Sequence, residues 1–194
     1  MRMRTEEKRR VILDAGEQLF GTRRYDEITM EEVARQAGVG KGTLYRYFSG
    51  KEALLSAVLQ ACHEDLVASL RQACGRESEF RPLLREVCAE LSRSQERRHP
   101  MFHLLFTQQR RGEGQSGRCA AFQRNCEEIR EVMTALMERG VSEGVLRDDV
   151  SPGKLAWLFL SLVRAWSHSR LHAVPGLELT MDDVLELFGK GAMK

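Results

Sequence analysis

The chain has little that would carry it into or across a membrane. Its 194 residues contain no run approaching the ~20 consecutive apolar residues that span a bilayer. The charged start, Met1-Arg-Met-Arg-Thr-Glu-Glu-Lys-Arg-Arg10, lacks the apolar core of a signal peptide, so a cytoplasmic protein is expected. Cysteine is sparse and odd in number, at positions 62, 74, 88, 119 and 126, with no Cys-x-x-Cys. That pattern excludes a fully paired disulfide framework and leaves reduced, mostly buried thiols. Cys119 and Cys126 share a helix face but lie roughly 10 Å apart along it, too far for an internal bridge. No strand signal, repeat or low-complexity tract stands out. The sequence also lacks a glycine-rich phosphate loop and a nucleophile elbow. His168 and His172 are spaced i, i+4, but no carboxylate or cysteine near them or His103 completes a metal set. No catalytic activity, cofactor or metal is expected.

Charge of either sign is not in excess: the net value is +2, too small to imply a nucleic-acid partner by itself. Its distribution is uneven. Residues 1–51 hold 11 Lys+Arg against 8 Asp+Glu, or +3, and the remainder carries −1. A basic head on a neutral body suits phosphate contact at one end.

The same head contains the most regular local pattern in the chain, Ile28-Thr-Met-Glu-Glu-Val-Ala-Arg-Gln-Ala-Gly-Val-Gly-Lys-Gly-Thr-Leu-Tyr-Arg-Tyr-Phe-Ser-Gly-Lys-Glu52. Thr29 and Glu32 are spaced as a capping box. Met30, Val33, Ala34 and Ala37 then fall on one helical face. Gly38 stands where a left-handed residue ends the helix, Val39 is the buried residue of the turn, and Gly40 is a weak cap for the next helix. In that helix Leu44 and Phe48 point inward and leave Lys41, Thr43, Tyr45, Arg46 and Tyr47 outside. Ser49 and Glu52 are spaced as another capping box, opening a long helix to about Cys74. Two short helices across a tight turn make a helix-turn-helix, whose second helix fits the DNA major groove. An ordinary helical hairpin with a solvated face is the alternative. The exposed Tyr45 and Tyr47 beside Lys41, Arg46 and Lys51 argue against it, because hydroxyls and ammonium groups are what phosphate oxygens take.

At Met30-Glu-Glu-Val-Ala-Arg-Gln-Ala-Gly-Val-Gly-Lys-Gly-Thr-Leu-Tyr-Arg-Tyr-Phe48 and Lys51-Glu-Ala-Leu-Leu55, after the helix Ala15-Gly-Glu-Gln-Leu-Phe20, the chain resembles the tetracycline-repressor family of bacterial transcription regulators. Two positions depart from the family pattern. Arg24 replaces a usual glycine, and Gly40 a frequent serine. A left-handed Arg24 would cost about 1–2 kcal/mol, and a shifted loop would avoid it. The resemblance implies an all-α homodimer, with a three-helix DNA-binding head (residues 1–53) and a sensing and dimerisation body (54–194) of about six helices. By position it places Lys41 and Gly42 nearest the base edges, with Thr43 able to meet a base. It assigns Tyr45, Arg46 and Tyr47 to groove walls and phosphates, and Thr29 and Lys51 to the flanking backbone. The implied partners are a palindromic double-stranded operator and a small effector whose binding releases DNA. The alternative is the same DNA binder controlled by a protein partner, or by nothing small.

Helical periodicity organises the rest. A first helix is expected over about residues 5–20, with Ile12, Ala15, Leu19 and Phe20 inward. Further helices are expected over about 81–95, from Pro100 through Phe106, over 118–139, from Pro152 to about His172, and over about 181–188. Gly112–Gly117 reads as a flexible loop. The helix from Pro152 is apolar on most sides (Leu155, Trp157, Leu158, Phe159, Leu160, Leu162, Val163 and Trp166), so it must be covered from several directions. Close to the end of a small domain, its own copy is the economical cover; the alternative is a central helix within one subunit. Candidate walls of an effector cavity are Phe102, His103, Phe106, Phe122, Met133, Met137, Trp157 and Phe159. No charged cluster accompanies them, which favours a mostly apolar organic effector; membrane association is not expected.

Overall fold

The computed structural model describes the backbone of residues 5–108, 115–171, 176 and 179–193; side chains are described for all of these except 96–108, 115–123 and 171. Among the described residues there are eight α-helices, one 3-10 turn and no strand. They are α1 (Thr5–Thr22), the 3-10 turn Tyr25–Glu27, α2 (Met30–Gln36), α3 (Lys41–Tyr47), α4 (Lys51–Cys74), α5 (Phe80–Gln108), α6 (Gln115–Ser142), α7 (Pro152–Leu171) and α8 (Met181–Ala192). The chain divides into two compact units. One holds the residues up to Asp65 with the end of α5 from Arg97; the other holds Leu66–Glu96 and the chain from α6 onward.

The first unit is built around one apolar cluster. Ile12, Leu13, Ala15 and Phe20 of α1 meet Ile28, then Met30, Val33 and Ala34 of α2, Leu44 of α3, Phe48, and Leu54, Leu55, Val58 and Cys62 of α4. The first turns of α4 therefore belong to the head's core, well past residue 53. Gly16 on α1 permits this packing, since a Cβ there would lie 2.9 Å from Val58 Cγ2. By length and composition α4 is also the one described helix able to cross a membrane. Its buried face instead goes to the cores of this fold, with Val67, Leu70 and Ala73 of its second half in the other cluster.

The second unit packs Phe80, Leu83, Leu84 and Val87 of α5 against Met133, Leu136 and Met137 of α6, Leu155, Ala156, Phe159 and Trp166 of α7, and Val184 and Phe188 of α8. Phe159 and Phe188 meet edge-on at 5.2 Å. The start of α5 is pinned by the end of α6. Arg139 donates to the carbonyls of Arg76 and Ser78 and to Glu143, whose other oxygen accepts from Phe80 N at 2.8 Å. That last bond is the main reason the Glu143 carboxyl lies below its usual range. A capping box, Thr180 with Asp183, starts α8.

Several expected boundaries shift. Two helices expected at 81–95 and from Pro100 are one, α5. A proline already has helical φ, so within a long helix it costs chiefly one backbone hydrogen bond and local crowding. The expected loop loses Gln115–Gly117 to α6; the rest of it lies outside the described residues. α4 begins at Lys51, with the Gly50 carbonyl taking the hydrogen bond from Leu54 N, so Ser49 does not hold the cap position. Arg24 is extended at φ −65°, and no described residue other than glycine has positive φ, so the strain considered for it is absent.

Among the described residues Cys62 and Cys88 are buried, Cys74 and Cys126 are half-buried, no disulfide joins them, and burial pushes Cys88 up to about 12. Cys74 and Cys126 are raised by the same cause. The side chain of Cys119 and the whole of His172 lie outside the described residues.

Candidate nucleic-acid interface

Local chemistry forms the two short helices and the turn between them. Thr29 accepts a hydrogen bond from Glu32 N at 3.2 Å, and Glu32 Oε2 accepts from Thr29 N at 2.8 Å, closing the box at the start of α2. Glu32 also pairs with Arg23 at 2.8 Å. Arg23 first, and the Thr29 amide and hydroxyl after it, hold the Glu32 carboxyl down to about 2, against an ordinary 4.5. A carboxylate depressed in the folded state contributes stability above its unfolded value and loses it as pH falls through the folded one. Urea denaturation between pH 6 and pH 2 should therefore show stability falling below about 4.5, with a smaller fall in Glu32→Gln. Equal slopes in the two proteins would refute this role.

Gly38 ends α2 at φ +64°, its N–H bonded to Arg35 O, and Val39 N returns to Ala34 O at 2.9 Å. No heavy atom lies within 4 Å of where its Cβ would be. Gly38→Ala is expected to lose about 1–2 kcal/mol through backbone strain alone, measurable by chemical denaturation. Gly40, extended, caps α3 through its carbonyl, which accepts from Thr43 N and Leu44 N.

Leu44 and Phe48 anchor α3 in the head's core. On the opposite side Lys41, Gly42, Tyr45 and Arg46 are exposed, and Thr43 is half-buried. Lys41 pairs with Glu31 of α2 and lies 5.9 Å from the Tyr45 ring centre. No heavy atom lies within 4 Å of a Cβ placed on Gly42, so the tip of the helix is open to close approach. The structure thus brings five of the eight expected DNA-contact residues onto one face.

The other three are engaged within the protein. Thr29 Oγ1 donates to Glu32 Oε2 at 3.0 Å. Tyr47, expected outside, packs partly against the core and donates to Thr5 O at 3.1 Å, fastening α3 to the start of α1. Lys51 Nζ donates to Tyr25 O at 2.6 Å and Ile28 O at 2.8 Å, and sits 4.3 Å from the Tyr25 ring centre. Two of its three N–H donors are therefore spent on the loop before α2. Lys51→Met should lower the melting temperature of DNA-free protein by several degrees, whereas a lysine serving phosphate alone would leave it unchanged. The sequence did not disclose Glu31 or Arg23 as members of this site. Their partners lie across turns, where spacing rules give no signal.

Of the candidate effector-site residues, the side chains of Phe102, His103, Phe106 and Phe122 lie outside the described residues. Met133, Met137 and Phe159 are fully buried in the body's core. Trp157 is 66% exposed and faces away from that core, so it lines no interior wall of this subunit. Its helix is amphipathic after all: Leu155, Ala156, Phe159 and Trp166 face in, while Trp157 and Leu158 face out.

A short basic helix held across a glycine turn, with its anchors buried and its tip open, has the geometry of a helix-turn-helix, whose second helix fits the DNA major groove. Residues 12–58 match the family model described as "Bacterial regulatory proteins, tetR family". The chain is 39% identical over 84 residues to the transcriptional activator FasR of Mycolicibacterium smegmatis, an alignment spanning 43% of this chain and 38% of that protein. It is 25% identical over 181 residues to the transcriptional repressor KstR2 of Rhodococcus jostii, spanning 93% and 87% respectively. A solved SmeT–triclosan complex superposes with TM-score 0.70 at 20% identity, over 96% of this chain and 92% of that one. SmeT is the repressor of a multidrug efflux pump of Stenotrophomonas maltophilia. At that identity the likeness is one of fold. Over residues 12–58 the chain carries the DNA-binding region of the tetR family, and the relatives it matches are transcription regulators.

Proposed function

We propose that this protein is a ligand-responsive repressor that binds a palindromic operator as a homodimer and is released by a small, mostly apolar organic effector. The observation that carries the reading is the outer face of α3, where Lys41, Gly42, Thr43, Tyr45 and Arg46 stand together over buried Leu44 and Phe48. Lys41 and Thr43 read base edges, Gly42 lets the backbone approach, and Tyr45 and Arg46 take groove-wall phosphates. Thr29, Tyr47 and Lys51 hold the reading helix at its angle, and the remaining Lys51 donor is available to a flanking phosphate.

One seven-residue helix contacts too few bases for useful selectivity, so two copies set about 34–36 Å apart are needed to read a palindrome. The exposed apolar side chains Trp157 and Leu158 of α7 and Leu187 of α8 supply the self-complementary face. Ser161 and Ala165 continue the row of Trp157 at one-turn spacing, small enough for two helices to come close. Sensing is assigned to the body beyond the head. The triclosan complex of a protein with this fold supports an apolar effector. For such a switch to run from 1:99 to 99:1, the effector must prefer the released conformer by about 5.5 kcal/mol.

The test is selection of bound duplexes from a random pool at low ionic strength, with sedimentation of the protein alone. Palindromic sequences recovered by a dimer are expected. A monomer, or no enriched sequence, would overturn the reading. Thermal shift against an organic panel addresses the effector, since a ligand of the folded state raises melting by mass action. No shift across the panel, together with operator binding altered by a protein partner, would favour partner control instead.

A further inference from the structure

In the free protein Lys41 is already occupied. Its ammonium is paired with Glu31 Oε1, reached across the turn from the outer face of α2, and it lies against the Tyr45 ring. Each charge secures the other: hydrogen bonding to Lys41 is the largest cause lowering the Glu31 carboxyl, and the same bond raises Lys41. Both side chains are more than half exposed, so the pair is solvated and readily exchanged. Arg46, the other exposed cation of the face, differs. It lies 5.6 Å from the Tyr47 ring centre, and no carboxylate pairs with it among the described residues.

We infer that Glu31 is a selectivity determinant of this head, holding the Lys41 ammonium until DNA presents an acceptor set that outcompetes the carboxylate. The inference rests on reading Lys41 as a DNA contact. Duplex of arbitrary sequence offers the lysine scattered phosphate oxygens, and accepting one would leave the Glu31 charge facing the phosphate backbone. Lys41 then stays with Glu31, and the protein binds through its other cations. A guanine beneath the tip of α3 offers O6 and N7 side by side in the major groove, and there the ammonium transfers. Glu31 therefore weakens binding to arbitrary sequence more than binding to the operator, and a discriminating contact arises from an acid that need not touch DNA.

Four full-length proteins test this: wild type, Glu31→Gln, Lys41→Met and the double variant. Each is titrated with a random-sequence duplex and with the duplex recovered by selection, over a range of salt. Melting curves confirm that all four are folded. Glu31→Gln is expected to tighten random-duplex binding about threefold and to steepen its log–log salt slope by about one unit, as one more phosphate contact is made. Operator binding should change less, so the specificity ratio falls. In the Lys41→Met background the Glu31 change should do neither. Equal tightening with and without Lys41 would mean a general loss of negative charge and would overturn the inference, as would no tightening at all. If Lys41→Met alone leaves both affinities at wild-type values, the reading of Lys41 as a DNA contact fails first, and the two failures are thereby distinguished.

Discussion

Trp157→Glu is expected to yield a folded monomer at micromolar concentration whose affinity for the palindromic operator is lower by at least about a hundredfold. The indole is 66% exposed on α7, beside Leu158 on the same helix, while Leu187 is exposed on α8. A tryptophan at the centre of an interface buries about 150–250 Å² and is among the residues most often found to dominate binding energy. A glutamate in its place would set two like charges near the two-fold axis, desolvated and facing each other. The loss at the operator follows from linkage. In the proposed dimer, once one head is docked the second would bind at an effective concentration near millimolar, and a monomer would forfeit that gain. Because Trp157 touches neither core, the melting temperature of the monomer should drop only by what the interface itself contributes. Sedimentation equilibrium and fluorescence anisotropy with labelled duplex measure the two quantities. A dimeric Trp157→Glu protein would remove this face from the interface.

Gly140→Val is expected to destabilise the body by about 3 kcal/mol, a fall of roughly 6–12 °C in melting temperature. A Cβ at Gly140 would lie 2.7 Å from both Phe80 Cδ2 and Cε2 and 2.8 Å from Leu146 Cδ1. Phe80 is fully buried, and its backbone N–H is held by Glu143, so the ring cannot retreat without loosening the start of α5. In an exposed helix, replacing a glycine by alanine would help by about 0.5–1 kcal/mol through propensity and by valine less; here overpacking outweighs that gain. Phe80→Leu combined with Gly140→Ala should recover part of the loss that each substitution causes alone. Such coupling is the sign that the two sites share one space. Additive losses in denaturant titrations would show that the contact is not what limits the body.

Much of the DNA-binding head was legible because its determinants are neighbours in sequence. The Thr29–Glu32 box spans three residues, Gly38 needs only its own φ, and the inward pair Leu44 and Phe48 is one helical turn apart. The body was legible only as a series of helices. Periodicity located α6, α7 and α8 to within a turn or two, but it could not see that one helix runs through Pro100. A proline is compatible with a helix whose other residues favour it, and composition alone does not reveal which choice packing makes. Nor could an apolar α7 be divided into a core side and an outer side, since a tryptophan reads alike whether it faces a core or a partner.

Sequence by itself determined the class of this protein: all-helical, with a helix-turn-helix near the start whose second helix presents a lysine, a threonine, a tyrosine and an arginine. Capping, turn and periodicity rules act over three to eight residues and operate before any tertiary contact forms. Tertiary structure decided which of those side chains are free. Lys51 is spent on carbonyls 26 and 23 residues earlier in the chain, Tyr47 on one 42 residues earlier, and Lys41 on a carboxylate of the preceding helix. A hydrogen-bond donor takes the nearest acceptor in space, and that acceptor exists only once the chain has folded back to provide it.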